Sequence, residues 1–497
     1  MAWLHTWSGL VVGWVLFAIF VTGTASYYRT DISHWMRPEL SDSSSDPAAA
    51  ATRAGAYLRK AMPNAAGWSV RLPNAENPAV EVYWWPNPGG PYHHALLDPA
   101  TGEPARVRDT RGGDFLYRFH FELSLPPIWG RWIVSVCAMI LLIALISGIV
   151  THRRIFADFF TFRRDRSAQR GWLDAHNVMG VLALPFHLMI VYTGLVTLSA
   201  MLMPWGMKAV YGNDPLRYYA EAGLAIPGVA PAGRPGTPLP LGELVARAAA
   251  AGGAVPEVML VTQPGDAGAT VTAYFEEPMG LAHLHPQIAY GADTGSEIAR
   301  VGEPGAATRT GAVMAGLHEA HFAAAPLRLL FFLCGVMGAA TVASGLVLWT
   351  VARAPRGADS EGFGLRLVRL LNIGTIAGMP VGLAAHFLAN RLLPLGLEAR
   401  ADWEIRVFFA AWIAAAIAAS LYPRRRAWSV ALVVPACAFL VIPMFDAVLV
   451  GQPRFLAFDA AMAVVGLAFV AASRLAARPR SAASRLVEAN LSRTIEA

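Results

Sequence analysis

Eight stretches of this chain are apolar enough and long enough to cross a bilayer, and that limits every other choice the sequence can make. They lie near 4–27, 128–151, 173–200, 326–350, 366–390, 403–421, 428–450 and 454–475. Hydrocarbon offers no water to a bare peptide group, so each stretch must be helical, and about 20 residues cover the roughly 30 Å of the core. Hydrophobic residues make up 55% of the 497 and charged residues 15%, a balance too apolar for a water-soluble chain of this size. The expected fold is a polytopic α-helical membrane protein with about eight spans, its surface given over to lipid. Two polar segments, 28–127 and 201–325, interrupt the first four spans, and spans five to eight fill 366–475.

The arginines set the expected orientation. Arg153, Arg154, Arg163, Arg164, Arg166 and Arg170 fall in the loop 152–172, Arg353 and Arg356 in the loop 351–365. Arg424, Arg425 and Arg426 follow the sixth span, and Arg478, Arg480 and Arg485 lie in the tail 476–497. All share one side if the spans alternate, and the positive-inside rule makes that side the cytoplasm. Both termini are then cytoplasmic and both polar segments external. The formal net charge of +6 reflects short juxtamembrane loops, so no nucleic-acid partner is expected. The first span lacks a positive leading region and reads as an uncleaved signal-anchor. Cys137, Cys334 and Cys437 all sit in apolar stretches, with no CxxC, so neither a disulfide nor covalent haem is expected.

The first half of the chain is duplicated. LHTWSGL (4–10) matches AHNVMGV (175–181), placing His5 against His176, and the same offset of 171 sets Thr22-Gly23 against Thr193-Gly194. SGIVTH (147–152) matches SGLVLW (344–349) at an offset of 197, which also pairs Cys137 with Cys334. The polar segments share a turn, DPATGE (98–103) and ADTGSE (292–297), with Asp before Thr-Gly supplying turn chemistry between strands. Each polar segment reads as a separate α/β domain, with strands at AVEVYWW, HHALLD and VTAYFEE and a helix at LGELVARAAAAGG. The unit is helix, outer domain, helix, used twice, and sites in such repeats tend to lie at the repeat interface.

The histidines carry the chemistry. His176 and His187 lie eleven residues apart in the third span. On one straight helix that is about 1100° of rotation, about 20° from whole turns, so both face one way about 16 Å apart. Such a helix suits one axial ligand for each of two haems. His5, His152 and His176 fall at the cytoplasmic ends of their spans and form the expected inner set. His318 and His321 precede the fourth span, and His120 the second; a helix running outward from 326 would put His318 and His321 one turn apart. His187 faces only Leu16 in the repeat, so its site is expected to be asymmetric, with its partner at His321 or His318. Asp174 and Thr193 are the sequence candidates for holding the second ring nitrogens.

The bland readings stand beside these. A lone interfacial histidine is ordinarily an amphipathic anchor, whereas His187 at depth is the kind of intramembrane ionisable group that is usually functional. His386 reads as structural. His93-His94 and His283-x-His285 have metal-ligand character, and strand alternation would set the latter two on one face, but the sequence offers no third ligand beside them. No G-x-G-x-x-G and no P-loop occurs, so no nucleotide or flavin site is expected.

The H-x-W-x-G-L opening, mid-helix Thr-Gly, D-x-x-T-G-E turn and S-G-[IL]-V closing together resemble the PepSY-associated transmembrane family. THRRIFADFFTFR and WLDAHNVMGVLALPFHLMIVYTGL resemble its iron-regulated branch, which includes ferric-siderophore reductases of the bacterial inner membrane; residues 1–390 carry the likeness. The resemblance implies a protein with two non-covalent b-type haems, passing electrons from a quinol or cytoplasmic donor to a ferric siderophore or other ferric chelate in the periplasm. Arg106, Arg108, Arg111 and Arg118 form a basic run able to steer an anionic chelate. A siderophore or iron transporter and a PepSY-type regulatory or binding protein are the rival expectations.

Overall fold

A computed structural model describes residues 2–40, 45–74, 77–151, 167–276, 280–301, 303–354, 362–421 and 424–477. In chain order the first helices are α1 (Ala2–Ser26), α2 (Arg29–Trp35), α3 (Pro47–Ala61), α4 (Gly113–Glu122), α5 (Pro127–Thr151), α6 (Ala168–Leu182) and α7 (Leu184–Thr197). Short helices α8 (Ser199–Leu202), α9 (Trp205–Tyr211) and α10 (Pro215–Glu221) lead to α11 (Leu241–Gly252) and α12 (Ala306–Glu319). The last six are α13 (Ala325–Ala352), α14 (Phe363–Ile376), α15 (Gly378–Leu392), α16 (Arg400–Ser420), α17 (Arg424–Leu449) and α18 (Leu456–Ala477). The strands are β1 (Gly67–Arg71), β2 (Val80–Trp85), β3 (His93–Leu97), β4 (Val258–Thr262), β5 (Thr270–Tyr274), β6 (Gln287–Gly291) and β7 (Glu297–Val301).

Seven segments among the described residues are helical, long and apolar enough to cross a membrane, one of them formed by α14 and α15 together, and α6 with α7 makes an eighth only as a pair bent by 66°. This bend corrects the expectation of one straight helix over 173–200. Pro185 enters the first turn of α7, where a ring without an N–H is tolerated, but a continuous helix through it would lose a hydrogen bond and press the ring on the preceding turn. The chain breaks at Ala183 (φ −103°, ψ 14°) instead. His176 is therefore on α6 and His187 on α7, and the shared face argued from their spacing does not exist.

The chain divides into two units. The helical unit comprises Met1–Met36, Asp109–Leu195 and Ala323–Ala497; the sheet unit comprises Arg37–Arg108 and Val196–Phe322. In the helical unit α1 lies against α5 and α13, and α13 against α6. Helices α2 and α4, assigned from sequence to the first outer domain, belong here: Trp35, Phe115 and Phe119 share an aromatic core with Phe17, Phe387 and Phe408. Helix α15 packs on α16 and α17, and α17 on α18.

The sheet unit is one seven-stranded sheet in the order β3-β2-β1-β4-β5-β6-β7, with every neighbouring pair antiparallel. The two polar segments are thus joined: β1 pairs with β4 from Gly67↔Thr262 to Arg71↔Val258. Each half contributes one helix to cover the sheet. Asp46 caps α3 by accepting from the backbone of Ala48 and Ala49, and α3 meets α11 so closely that a Cβ on Gly242 would lie 2.1 Å from the Ala48 carbonyl. Leu58, Val70, Val82, Leu244, Met259 and Val271 fill the core beneath them. Both Thr-Gly turns form, with Gly102 at φ 75° and Gly295 at φ 64°, the left-handed backbone that glycine adopts without penalty.

Candidate functional site

The repeat is real in three dimensions, and it is built around His5 and His176. His5 Nδ1 lies 2.9 Å from the Ala144 carbonyl on α5. His176 Nδ1 lies 2.9 Å from the Thr341 carbonyl on α13, the position related to Ala144 by the same offset of 197. A carbonyl only accepts, so Nδ1 carries the proton in both rings and Nε2 carries the lone pair. Ser147 Oγ and Ser344 Oγ donate to those same two carbonyls, at 3.0 and 2.9 Å. The next residues, Gly148 and Gly345, face Cε1 of each ring: a Cβ there would stand 3.2 Å from His5 and 3.1 Å from His176. The closing S-G motif thus seats each imidazole, the serine engaging its acceptor and the glycine making room for its edge. The two ring centroids are 6.2 Å apart with planes at 65°. Neither sequence candidate supplies these acceptors: Asp174 pairs with Arg170, and Thr193 Oγ1 donates to Met189 O at 2.7 Å, as its repeat mate Thr22 does to Ala18 O.

A second pair of histidines meets the opposite end of α1. His187 is buried on α7, with Nε2 3.2 Å from the Cys334 carbonyl and its ring edge-on to Phe20 at 5.8 Å. His120 on α4 places Nδ1 2.8 Å from the Ile19 carbonyl, and its ring presses on Gly23. Both therefore contact one turn of α1. From His5 to Phe20 is fifteen residues, or about 22 Å along the helix axis. Burial pushes the His120 imidazole below its ordinary range despite its carbonyl partner.

The remaining predicted residues fall elsewhere. His152 lies outside the described residues. His318 and His321 are not one turn apart on an outward extension of the fourth span: α12 ends at Glu319, Ala320 turns left-handed at φ 59°, and α13 starts afresh at Ala325. His321 Nε2 instead contacts Glu319 at 2.8 Å. His386, read as structural, is buried against Phe115, at 4.8 Å between rings. Three members of the arginine run are held in ion pairs: Arg108 with Glu39, Arg111 with Asp402 and Arg118 with Glu122; Arg106 is exposed.

The helical unit also buries a charged network that the sequence reading missed. Arg391 binds Asp446 at 2.6 Å, donates to Trp35 O at 2.7 Å and stacks 3.5 Å over the Trp35 ring. Arg400 pairs with Glu404, which also accepts from Asn390 and Thr110. The available signal was Arg391, Arg400, Glu404 and Asp446 inside or beside apolar stretches, where charge is costly unless partnered.

Comparison with known proteins follows the same lines. A protein of Pseudomonas aeruginosa described only as uncharacterized is 29% identical over 330 residues, covering 62% of this chain and 80% of that relative. Residues 2–352, which contain both repeats, match the family described as the PepSY-associated TM region. With its apolar helices and its seated pair of repeat histidines, the chain is a multi-pass membrane protein that belongs to the PepSY-associated transmembrane family.

Proposed function

We propose that this protein, as a member of the iron-regulated branch of its family, is a transmembrane reductase holding two b-type haems that passes electrons across the bacterial inner membrane to a ferric chelate, such as a siderophore, in the periplasm. The His5–His176 pair carries the reading. Two imidazoles sharing one iron through Nε2 bonds of about 2.0 Å have ring centres roughly 6.3 Å apart, and the observed separation is 6.2 Å. The tautomer imposed by Ala144 and Thr341 leaves the lone pair on Nε2, the nitrogen such a bond needs. His187 and His120, at the other end of α1, are the residues proposed for the second haem: His120 bonds its carbonyl through Nδ1 as His5 does, whereas His187 gives Nε2 to the Cys334 carbonyl and would bind iron through Nδ1 or after its ring turns over.

A haem held between His5 and His176 would supply one-electron transfer. The residues do the rest. Ser147 and Ser344 fix the acceptor carbonyls, Gly148 and Gly345 let the rings lie close to the helix backbone, and α1 spaces the two pairs. Lowering the charge of ferric iron weakens its hold on hard oxygen ligands, so delivering one electron suffices to loosen the chelate.

The test is a reduced-minus-oxidised spectrum of purified protein with haem counted per chain. Wild type is expected to hold two b-type haems, His5→Ala or His176→Ala to remove one, and His187→Ala to remove the other and abolish ferric reduction. Protein free of haem after expression with ample haem supply sinks the proposal. A second reading, a carrier of the chelate or of its iron, draws on the buried Arg391–Asp446 and Arg400–Glu404 pairs, because intramembrane charges commonly line transport paths. Vesicles discriminate: uptake of intact chelate without reductant favours the carrier.

A further inference from the structure

We propose that the sheet unit holds a divalent transition-metal ion on His283, Glu319 and His321, a site separate from the repeat histidines of the helical unit. Oε2 of Glu319 lies 3.0 Å from His283 Nδ1 and 2.8 Å from His321 Nε2. The three donor atoms all fall within 4.8 Å of one another. Donors about 2.0–2.1 Å from a tetrahedral ion stand roughly 3.3 Å apart, so the two Glu319 contacts need to open by only a few tenths of an ångström, while the two imidazole donors lie within 4.8 Å of each other. Two imidazoles and one carboxylate suit a borderline dication, and affinity among these peaks at copper(II) and falls again at zinc(II).

His285 completes the arrangement one step out. Its Nε2 is 2.9 Å from His283 Nε2. A His283 that gives its Nδ1 lone pair to a metal must carry its proton on Nε2, and His285 then accepts it. That is the outer partner a ligating imidazole ordinarily has. The sequence offered His283 and His285 as a pair on a strand; they lie instead in the β5–β6 connection, and the missing third ligand comes from the end of α12.

The two elements are locked together before any ion arrives. His283 N donates to Ala312 O at 2.9 Å. A Cβ on Gly316 would sit 2.0 Å from the Leu281 carbonyl, so only glycine lets this connection lie so close to α12. The left-handed cap at Ala320 turns the chain so that Glu319 and His321 serve one point. Three protein donors leave one tetrahedral position for water or an external donor, as in exchangeable rather than closed sites. A cavity of about 230 Å³ lined by Tyr274, His283, His285 and Gln287 adjoins it.

The experiment uses the full-length chain in detergent, stripped with chelator and titrated with zinc(II) against a chromogenic zinc chelator. Wild type is expected to take one zinc that the double variant Glu319→Gln, His321→Ala binds at least about 100-fold more weakly. His285→Ala is expected to weaken it by about 10- to 100-fold, and His94→Ala, on β3, to leave it unchanged. Zinc-edge absorption should show nitrogen and oxygen neighbours near 2.0 Å. The haem count, read on the same samples, is expected to be equal in wild type and the double variant whatever its value, which separates this proposal from the reductase reading. Equal zinc binding by wild type and the double variant, equal loss in His94→Ala, or loss of haem with the double variant overturns the assignment.

Discussion

Replacing Gly345 by alanine tests the seat of His176 with the smallest available change. Ordinary carbon contacts begin at 3.4 Å, and the new Cβ would stand 3.1 Å from His176 Cε1, a shortfall of 0.3 Å. At Gly148 the distance to His5 is 3.2 Å, a shortfall of 0.2 Å. Neither ring can simply slide away, because Nδ1 is tied at 2.9 Å to its carbonyl; it must tilt about that bond. A metal-free ring tilts at little cost, whereas under the proposed haem ligation the iron would hold the ring as well. Overpacking of this kind costs about 1–3 kcal/mol, and such small shortfalls belong at the lower end, about 1–2 kcal/mol, or roughly 5- to 30-fold in haem affinity. The better helix propensity of alanine, about 1 kcal/mol over glycine, is common to both states and drops out of an affinity. Haem transfer to an apoprotein scavenger, followed in the Soret band, reads the change. Gly345→Ala should lose haem faster than Gly148→Ala, and both faster than Gly9→Ala or Gly171→Ala, where no heavy atom lies within 4 Å. Equal retention in all four, or the reverse order of the first two, refutes the seating argument.

Two further outcomes follow from the charges. Asp446→Leu removes the carboxylate from Arg391, whose side chain is 1% exposed and keeps its neutral acceptors Trp35 O and Asn390 Oδ1, and should cost up to about 3–5 kcal/mol; thermal unfolding in detergent should show that Arg391→Met, Asp446→Leu recovers much of the loss, and a double variant no better than the single rejects the pairing. Asp266 on the sheet unit is held below its ordinary range, first by the backbone N–H of Gly268 and then by those of Ala232 and Gly233. A depressed carboxyl stabilises above its unfolded value and loses that effect as pH falls toward the folded one, so these amides should lose hydrogen-exchange protection below about pH 4 after correction for intrinsic rates. Unchanged protection there, or the same loss in Asp266→Ala at neutral pH being absent, counts against it.

What the sequence disclosed depended on how local the determining contact is. Apolar length placed α1, α5 and α13 within a few residues, and alternation found β2, β3 and β5, because both signals reside in the element itself. Pro185 was visible, but the decision to end α6 belongs to the neighbours that α7 then meets. The acceptors of His5 and His176 are mid-helix carbonyls, which every residue possesses, so only the repeated serine and glycine beside them could have marked the place. The pairing of β1 with β4 and the meeting of His283 with Glu319 join residues far apart in sequence, and no periodicity records such encounters.

The β1–β4 junction also dictates an order of events. Trp68 finds its partner in Val261, 193 residues later in synthesis. Until then the first three strands present β1 as a bare edge, with half its backbone donors and acceptors unspent, and such an edge is a template for the wrong strand. Closing so long a loop is slow. The newborn chain therefore passes through a stage in which its first half carries an unpaired strand edge, which the second half covers when β4 arrives.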